Sequence, residues 1–75
     1  MPACRFQVVR VGVEADLRGE PMRRVVLRAV PSDAFRSEPG GPPPVGEISV
    51  LWTPAYAKRF AVGDVFDAAF HEAAS

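Results

Sequence analysis

Cys-Arg-Phe-Gln-Val-Val-Arg-Val-Gly-Val-Glu, residues 4–14, is the stretch that decides the fold class. Apolar and other residues alternate along it with a period of two, which indicates a β-strand rather than a helix. The apolar positions are even-numbered as far as Val8 and odd-numbered from Val9 onwards. One extra residue in a strand moves every later side chain to the opposite face, so we predict a β-bulge near Val8 and Val9. A strand covered on both faces is the alternative.

A second strand follows this one after a turn. Residues 15–21 collect turn formers, and the run Met22–Val30 that follows is expected to fold back as an antiparallel hairpin. Side chains in that run alternate between the two faces of the predicted strand. The predicted inward row is Val25, Leu27 and Ala29, and the predicted outward row is Arg24, Val26 and Arg28.

The second half of the chain adds two strands and a helical turn. A Pro/Gly-rich loop is predicted at 37–46, followed by a strand over Glu47–Trp52. Thr53 and Pro54 fit the N-cap and first helical positions, which predicts a short helix over 54–60. A turn at Gly63 then leads into a strand over 65–71, and residues 72–75 are expected to fray.

The predicted fold class is therefore mainly β. A small antiparallel barrel and a half-open sheet both fit, with about four to five strands and one short helix at 54–60, in a single domain that spans residues 1–75. A chain of this length leaves no room for a second domain. The predicted core consists of Phe6, Val8, Leu27, Ile48, Val50, Phe60, Phe66 and Phe70.

Composition argues against several classes of protein. Nine Lys and Arg balance nine Asp and Glu, and a net charge of zero disfavours non-specific binding to nucleic acid or anionic lipid. One cysteine permits no intrachain disulfide, which favours the cytosol. No apolar run approaches the roughly 20 residues that cross a bilayer, and no signal-peptide pattern is present. Secretion and membrane insertion are therefore not expected.

Reactive side chains are few and scattered. A nucleophilic cysteine needs an imidazole within hydrogen-bond reach and a third group to orient it, whereas Cys4 and His71 each stand alone in the sequence. Asp67 and His71 share one predicted strand face, but two ligands are too few for a metal site. The sequence therefore predicts no enzyme activity, no cofactor and no metal.

Five short motifs occur in a fixed order: Cys-Arg-Phe at 4–6, Val-Val-Leu-Arg-Ala-Val at 25–30, Gly-Glu-Ile-Ser-Val at 46–50, Thr-Pro-Ala-Tyr-Ala at 53–57 and Phe-Ala-Val-Gly-Asp at 60–64. In this order they resemble small β proteins encoded by tailed bacteriophages and prophages. The chain departs from that pattern in its Pro/Gly-rich segment 37–45 and in a closing strand that lacks paired tyrosines. The resemblance implies origin and fold, and it carries over no catalytic residue.

These observations together favour a phage or prophage accessory protein that acts by protein–protein binding, as a small virion or assembly component or as an inhibitor of a host factor. Its partner would be a phage structural protein or a host protein, met in the host bacterial cytoplasm or in the virion, and no membrane partner is expected. Self-association through exposed sheet edges is a further expectation. Trp52, Tyr56 and Phe60 are the expected interface anchors.

The alternative function is binding of single-stranded nucleic acid by an OB-like module. In that hypothesis Arg23, Arg24 and Arg28, with Arg5 and Arg10 on a neighbouring strand, line a groove beside exposed rings such as Trp52 or Tyr56, on which bases stack. The candidate partner-binding residues of the two hypotheses together are Trp52, Tyr56, Arg24 and Arg28.

Overall fold

The computed structural model describes residues 3–17, 19–36 and 38–74, with the backbone alone at residues 13–17. The elements in chain order are β1 (Ala3–Leu17), β2 (Glu20–Ala29), a 3-10 turn (Asp33–Phe35), β3 (Glu47–Trp52), α1 (Pro54–Ala57) and β4 (Val65–Ala69). All strand pairs are antiparallel, and the strand order is β3-β2-β1-β4. Within the described residues β3 and β4 are the two edges, so the mainly β prediction is confirmed in its half-open form.

The hairpin of β1 and β2 is longer than the sequence predicted. Leu17 pairs with Glu20, so two residues connect the strands, and Gly19 lies in the left-handed region with φ 80°. The polar composition of residues 15–21 suggested a wide turn instead. That boundary was wrong because β3 pairs with β2 only over 23–28 and β4 with β1 only over 3–7, so the far end of the hairpin tolerates polar residues.

The predicted bulge in β1 is confirmed. Val8 pairs with Leu27 and Arg10 pairs with Val26, so Val9 is the extra residue with no partner of its own. As a result Val11, which pairs with Val25, lies on the same face as Val8 despite its odd number.

One face of the sheet, called the core face here, carries the hydrophobic core. Val8 and Val25 are 1% and 0% exposed, and Ala57 of α1 is 0% exposed where the helix packs over them. The core cluster consists of Cys4, Phe6, Val8, Val25, Leu27 and Ala57, with Val11, Ala29, Ile48, Trp52, Phe60 and Ala68 partly buried against it. The opposite, outer face carries Arg5, Gln7, Arg10, Arg24, Val26 and Arg28.

Two predicted core residues are exposed, and three others, Ile48, Val50 and Phe60, are half-buried. Phe66 is 36% exposed and Phe70 is 50% exposed, which corrects the prediction that both belong to the core. Phe66 does point towards the core face, since it pairs with Phe6, but β4 is an edge strand that α1 does not cover. Phe70 lies beyond the end of β4, because the strand ends at Ala69 rather than at residue 71.

The helix is shorter than predicted. It ends at Ala57 rather than at residue 60, and Lys58 and Arg59 continue as a turn. Thr53 does occupy the N-cap position, although its side chain makes no capping hydrogen bond. The amide of Phe60 donates to the carbonyl of Ala57, so the last residue of the predicted helix belongs to this closing turn.

The segment between β2 and β3 is partly ordered by its own contacts. Ser32 caps the 3-10 turn, and the guanidinium of Arg36 bonds the carboxylate of Asp33 and the carbonyl of Gly41. Phe35 lies beneath the guanidinium of Arg5, 5.5 Å from it. The predicted loop at 37–46 contains no helix or strand over 38–46, and Ser37 lies outside the described residues, as does Ser75 of the predicted frayed end.

Candidate protein-binding surface

Four aromatic side chains form a continuous row across the core face, called the aromatic strip here: Trp52, Tyr56, Phe60 and Phe66. The ring centroids of Trp52 and Phe60 are 4.8 Å apart and nearly parallel, at 10°. The ring centroid of Tyr56 lies 5.1 Å from that of Trp52, and the ring centroid of Phe66 lies 5.2 Å from that of Phe60. Each contact falls in the range of favourable aromatic pairs.

The topology of the chain explains why the strip spans the sheet. Trp52 ends β3 at one edge, and Phe66 lies on β4 at the other edge. The chain between them crosses the core face as α1 and the turn that follows, which places Phe60 between the two edges. The strip therefore covers one side of the core and presents its other side to solvent.

The strip is accessible along part of its length. Tyr56 is 44% exposed and Phe66 is 36% exposed, whereas Trp52 and Phe60 are half-buried. Val62 and Phe70 are exposed large apolar side chains in the same part of the chain. Apolar rings that are anchored by packing on one side and open on the other are typical of residues that dominate binding energy at protein interfaces.

Two arginines flank the strip. The guanidinium of Arg59 lies 5.0 Å from the centre of the Tyr56 ring, a cation–π contact. Arg23 pairs with Trp52 in the sheet, so its side chain leaves β2 on the core face beside that ring. The rim of the strip is thus positively charged around an apolar centre.

The structure separates the residues that the nucleic-acid hypothesis groups together. Trp52 and Tyr56 belong to the aromatic strip on the core face, whereas Arg24 and Arg28 lie on the outer face, opposite Leu51 and Glu47 of β3. The arginines therefore do not line a groove beside those rings. Alternation explains this, because Arg23 rather than Arg24 is in phase with the buried Val25.

The arginines of the outer face are largely engaged with neighbouring strands. Arg24 donates to the hydroxyl of Ser49 at 2.6 Å, and Arg28 pairs with Glu47 at 3.3 Å. Arg5 forms a two-point ion pair with Asp67, which holds the pKa of that carboxyl below its ordinary value chiefly through the hydrogen bond from the guanidinium. Compensated charges of this kind attract phosphate less than isolated ones.

The outer face also contains a shallow depression. It has a volume of about 410 Å³ and is lined by Val9, Arg10, Val26, Arg28 and Glu47. Val26 at its base is 7% exposed, although it belongs to the predicted outward row. The depression is an open surface over one buried side chain, and two of its three charged side chains, Arg28 and Glu47, are paired with each other.

The side chains of Cys4, His71 and Asp67 lie in three different environments. Cys4 is buried in the core, with its Sγ 3.6 Å from the carbonyl oxygen of Arg5. His71 is exposed beyond the end of β4, and Asp67 is bonded to Arg5. Across residues 3–12, 19–36 and 38–74, no three His, Cys, Asp or Glu side chains come together in a way that would hold a metal ion.

Sequence reasoning identified Trp52, Tyr56 and Phe60 but missed the other components of the strip. Phe66 was assigned to the core and Arg59 was not considered, whereas Arg23, which pairs with Trp52, was grouped with that ring only in the nucleic-acid hypothesis. The spacing of four between Trp52, Tyr56 and Phe60 is the sequence signal that three of the rings share, although only Tyr56 lies in the helix. Phe66 had no comparable signal, because its exposure depends on β4 being an edge.

Comparison with known proteins gave no match: no protein-family model fits the chain, and no curated protein or solved structure is significantly similar to it. In the described part of the chain, no helix has the length and apolar character needed to cross a membrane.

Proposed function

We propose that this chain is a non-enzymatic phage or prophage accessory protein that acts by binding another protein through the aromatic strip. The observation that carries the proposal is the row of four contacting rings, exposed by 44% at Tyr56 and 36% at Phe66. The phage or prophage origin is supported by the order of short motifs in the sequence. A small virion or assembly component and an inhibitor of a host factor both fit this mode of action.

The chemistry of the strip defines the partner surface. A partner would place apolar side chains against Tyr56 and Phe66 and carboxylates beside Arg23 and Arg59. Contacts of this kind combine a desolvated apolar centre with a charged rim that guides association. The partner is therefore expected to be a protein with an apolar patch bordered by acidic residues.

The geometry of the rings favours a protein over a single-stranded nucleic acid. Base stacking requires open ring faces. Trp52 and Phe60 are stacked on each other, and the guanidinium of Arg59 lies over the Tyr56 ring. One face of each of these three rings is thus already covered, which leaves edges and partial faces for apolar contact.

Site-specific crosslinking tests the proposal. A photo-crosslinking phenylalanine analogue at position 56 is expected to capture one defined protein in the producing bacterium, and the same analogue at Val45, which is 85% exposed in the segment between β2 and β3, is not. The captured protein, once purified, should bind the unmodified chain. Tyr56→Ala and Phe66→Ser should each weaken that binding about tenfold or more, which is typical of anchor residues.

Two results would overturn the proposal. One is a captured protein whose affinity does not change in Tyr56→Ala and Phe66→Ser while both variants keep the circular dichroism of the parent. The other is tight, salt-sensitive binding of single-stranded oligonucleotides that is lost in Arg24→Ala and Arg28→Ala, because it would place the function on the outer face instead.

A further inference from the structure

The free edge of β4 is the feature that the proposed function does not use. β4 pairs with β1 through Ala3–Gln7 and has no neighbour on its other side among the described residues. Unpaired strand edges are templates for another strand unless proline, lysine, a bulge or a covering element blocks them. The sequence Val-Phe-Asp-Ala-Ala of β4 contains none of these blocking residues.

The backbone groups available at this edge follow from the hydrogen bonds of β1. Val8 exchanges hydrogen bonds with Gly63 and Asp64, whereas the carbonyl of Arg5 accepts from Val30 on the other side of β1. By alternation, Cys4 and Phe6 use their backbone groups towards β4, where they pair with Ala68 and Phe66. The amides and carbonyls of the intervening β4 residues, Val65, Asp67 and Ala69, therefore point outward.

The side chains along this edge are apolar and exposed. Val65 is 52% exposed, Phe66 is 36% exposed and Phe70 is 50% exposed. The one charge of β4, Asp67, is held in its two-point ion pair with Arg5, which reduces its ability to repel an approaching strand. The other edge, β3, differs because Glu47 and Ser49 are exposed there and its apolar side chains are half-buried.

We propose that two copies of this chain pair through their β4 edges, antiparallel, about a two-fold axis that passes beside Ala68. In this register Ala68 faces Ala68 of the second copy, Asp67 faces Ala69, and Phe66 faces Phe70. The pair Asp67 and Ala69 exchanges the outward-pointing backbone hydrogen bonds. The result is a continuous eight-stranded sheet with an isologous interface.

Self-complementarity selects this register over its neighbours. A shift by one pairing step places Phe66 opposite Ala68 of the second copy, so the two aromatic cross-strand pairs are lost. A shift the other way places Phe66 opposite Glu72. In the proposed register the small Ala68 occupies the axis, and an aromatic pair lies on each side of it on the core face. The two aromatic strips of the dimer then form one row.

Sedimentation of the full chain over a range of concentrations tests the interface. A five-residue edge is small, so we expect a monomer–dimer equilibrium at concentrations between about 1 µM and 1 mM. Ala69→Pro removes an outward-pointing amide and leaves the hydrogen bonds between β1 and β4 in place, so it should lower dimer affinity at least tenfold. The matched control is Ser49→Pro on the edge of β3, which should leave the dimer unchanged.

Disulfide crosslinking tests the register without relying on proline. Cys4 is first replaced by Ala, because it lies opposite residue 68 in the same chain and would capture a new thiol there. In that background Ala68→Cys should oxidise rapidly to a covalent dimer, since residues opposite each other in a non-hydrogen-bonded pair are within disulfide reach. Ala69→Cys should not, because its own copy lies about 7–8 Å away on the diagonal.

Three results would overturn the proposal. They are a monomer throughout the concentration range, a dimer that survives Ala69→Pro but not Ser49→Pro, and crosslinking that is no faster at position 68 than at position 69. The tests of the dimer change residues 49, 68 and 69, and none of these belongs to the aromatic strip. The dimer proposal can therefore fail while the proposed function stands, and the reverse.

Discussion

Arg5 of β1 and Asp67 of β4 lie directly opposite each other on the outer face and form two hydrogen bonds, with Nε to Oδ1 at 2.7 Å and Nη2 to Oδ2 at 3.1 Å. The pair links the terminal strand to the hairpin across 62 residues of sequence. Because the ion pair is exposed, we attribute its importance to its position between β1 and β4 and not to burial.

The ion pair predicts a dependence of stability on pH. The hydrogen bond from Arg5 lowers the pKa of Asp67 in the folded chain below its value in the unfolded chain, about 3.9. The stabilising contribution is therefore present above about pH 4 and is lost as the pH falls through the lower, folded-state pKa. Urea unfolding at pH 6 and at pH 2.5 should show a drop in stability that is smaller in Asp67→Asn. An equal drop in parent and variant would contradict this assignment.

Replacement of a core valine should lower the free energy of unfolding strongly. Val25 is 0% exposed at the centre of the sheet, and Val25→Ala removes two buried methyl groups for an expected loss of about 2 kcal/mol. Val45→Ala, at a side chain that is 85% exposed, should change it by less than about 0.5 kcal/mol. Urea denaturation measures both, and similar losses in the two variants would contradict the described core.

Trp52 reports directly on the aromatic strip because it is the only tryptophan in the chain. Phe60→Ala removes the ring stacked on it, so we expect a loss of about 2 kcal/mol and a red shift of the tryptophan emission as water reaches the indole. Phe35→Ala is the matched control, because that half-buried ring lies beside Arg5 on the outer face. An emission shift in the control, or none in Phe60→Ala, would show that the stacking is wrong.

Replacement by alanine is expected to have opposite effects on stability at two glycines of the β1–β2 hairpin. Gly19 has a φ of 80°, and Gly19→Ala should destabilise the chain by about 1 kcal/mol because alanine is strained there. Gly12 is in β1 with open space at the position of a Cβ, and Gly12→Ala should be neutral or stabilise by up to about 1 kcal/mol. Thermal unfolding of the two variants gives the comparison, and a destabilised Gly12→Ala would indicate a hidden contact on the outer face.

Oligonucleotide binding distinguishes the two functions inferred from the sequence. We expect no saturable binding of a labelled single-stranded oligonucleotide at low salt, because Arg5 and Arg28 are paired with carboxylates and Arg24 is bonded to Ser49. Fluorescence anisotropy checks this. Binding that weakens steeply with salt and falls in Arg24→Ala would establish the alternative instead.

Much of the fold could be predicted because the hydrophobic alternation is strong. The change of phase at Val9 predicted the bulge, and the rows Val25–Leu27 and Ile48–Trp52 predicted two strands and their buried sides. Burial on β4 could not be predicted in the same way. Phe66 alternates like a core residue, and only the strand order, which depends on long-range pairing, makes its strand an edge.

The candidate site was less predictable than the fold. Residue type alone suggested that arginines and aromatic rings lie together. A sheet has two faces, however, and the position of each residue in the alternation of its strand decides on which face its side chain lies. Arg23 joins Trp52 because both are in phase with the buried row, and Arg24 is excluded from it by a single residue. The contact of Phe60 with Phe66 depends on the path of the chain across the sheet, for which the sequence has no local signal.

The unpaired Val9 has a consequence for how this protein can change over generations. Val8 and Val11 lie on the core face and Arg10 lies on the outer face, so these three residues would alternate regularly if Val9 were absent. Deletion of Val9 would therefore close the bulge and leave Arg10 and Val11 on the faces that they occupy now. Descendants are expected to differ in length by one residue at this position more readily than elsewhere in the paired part of β1.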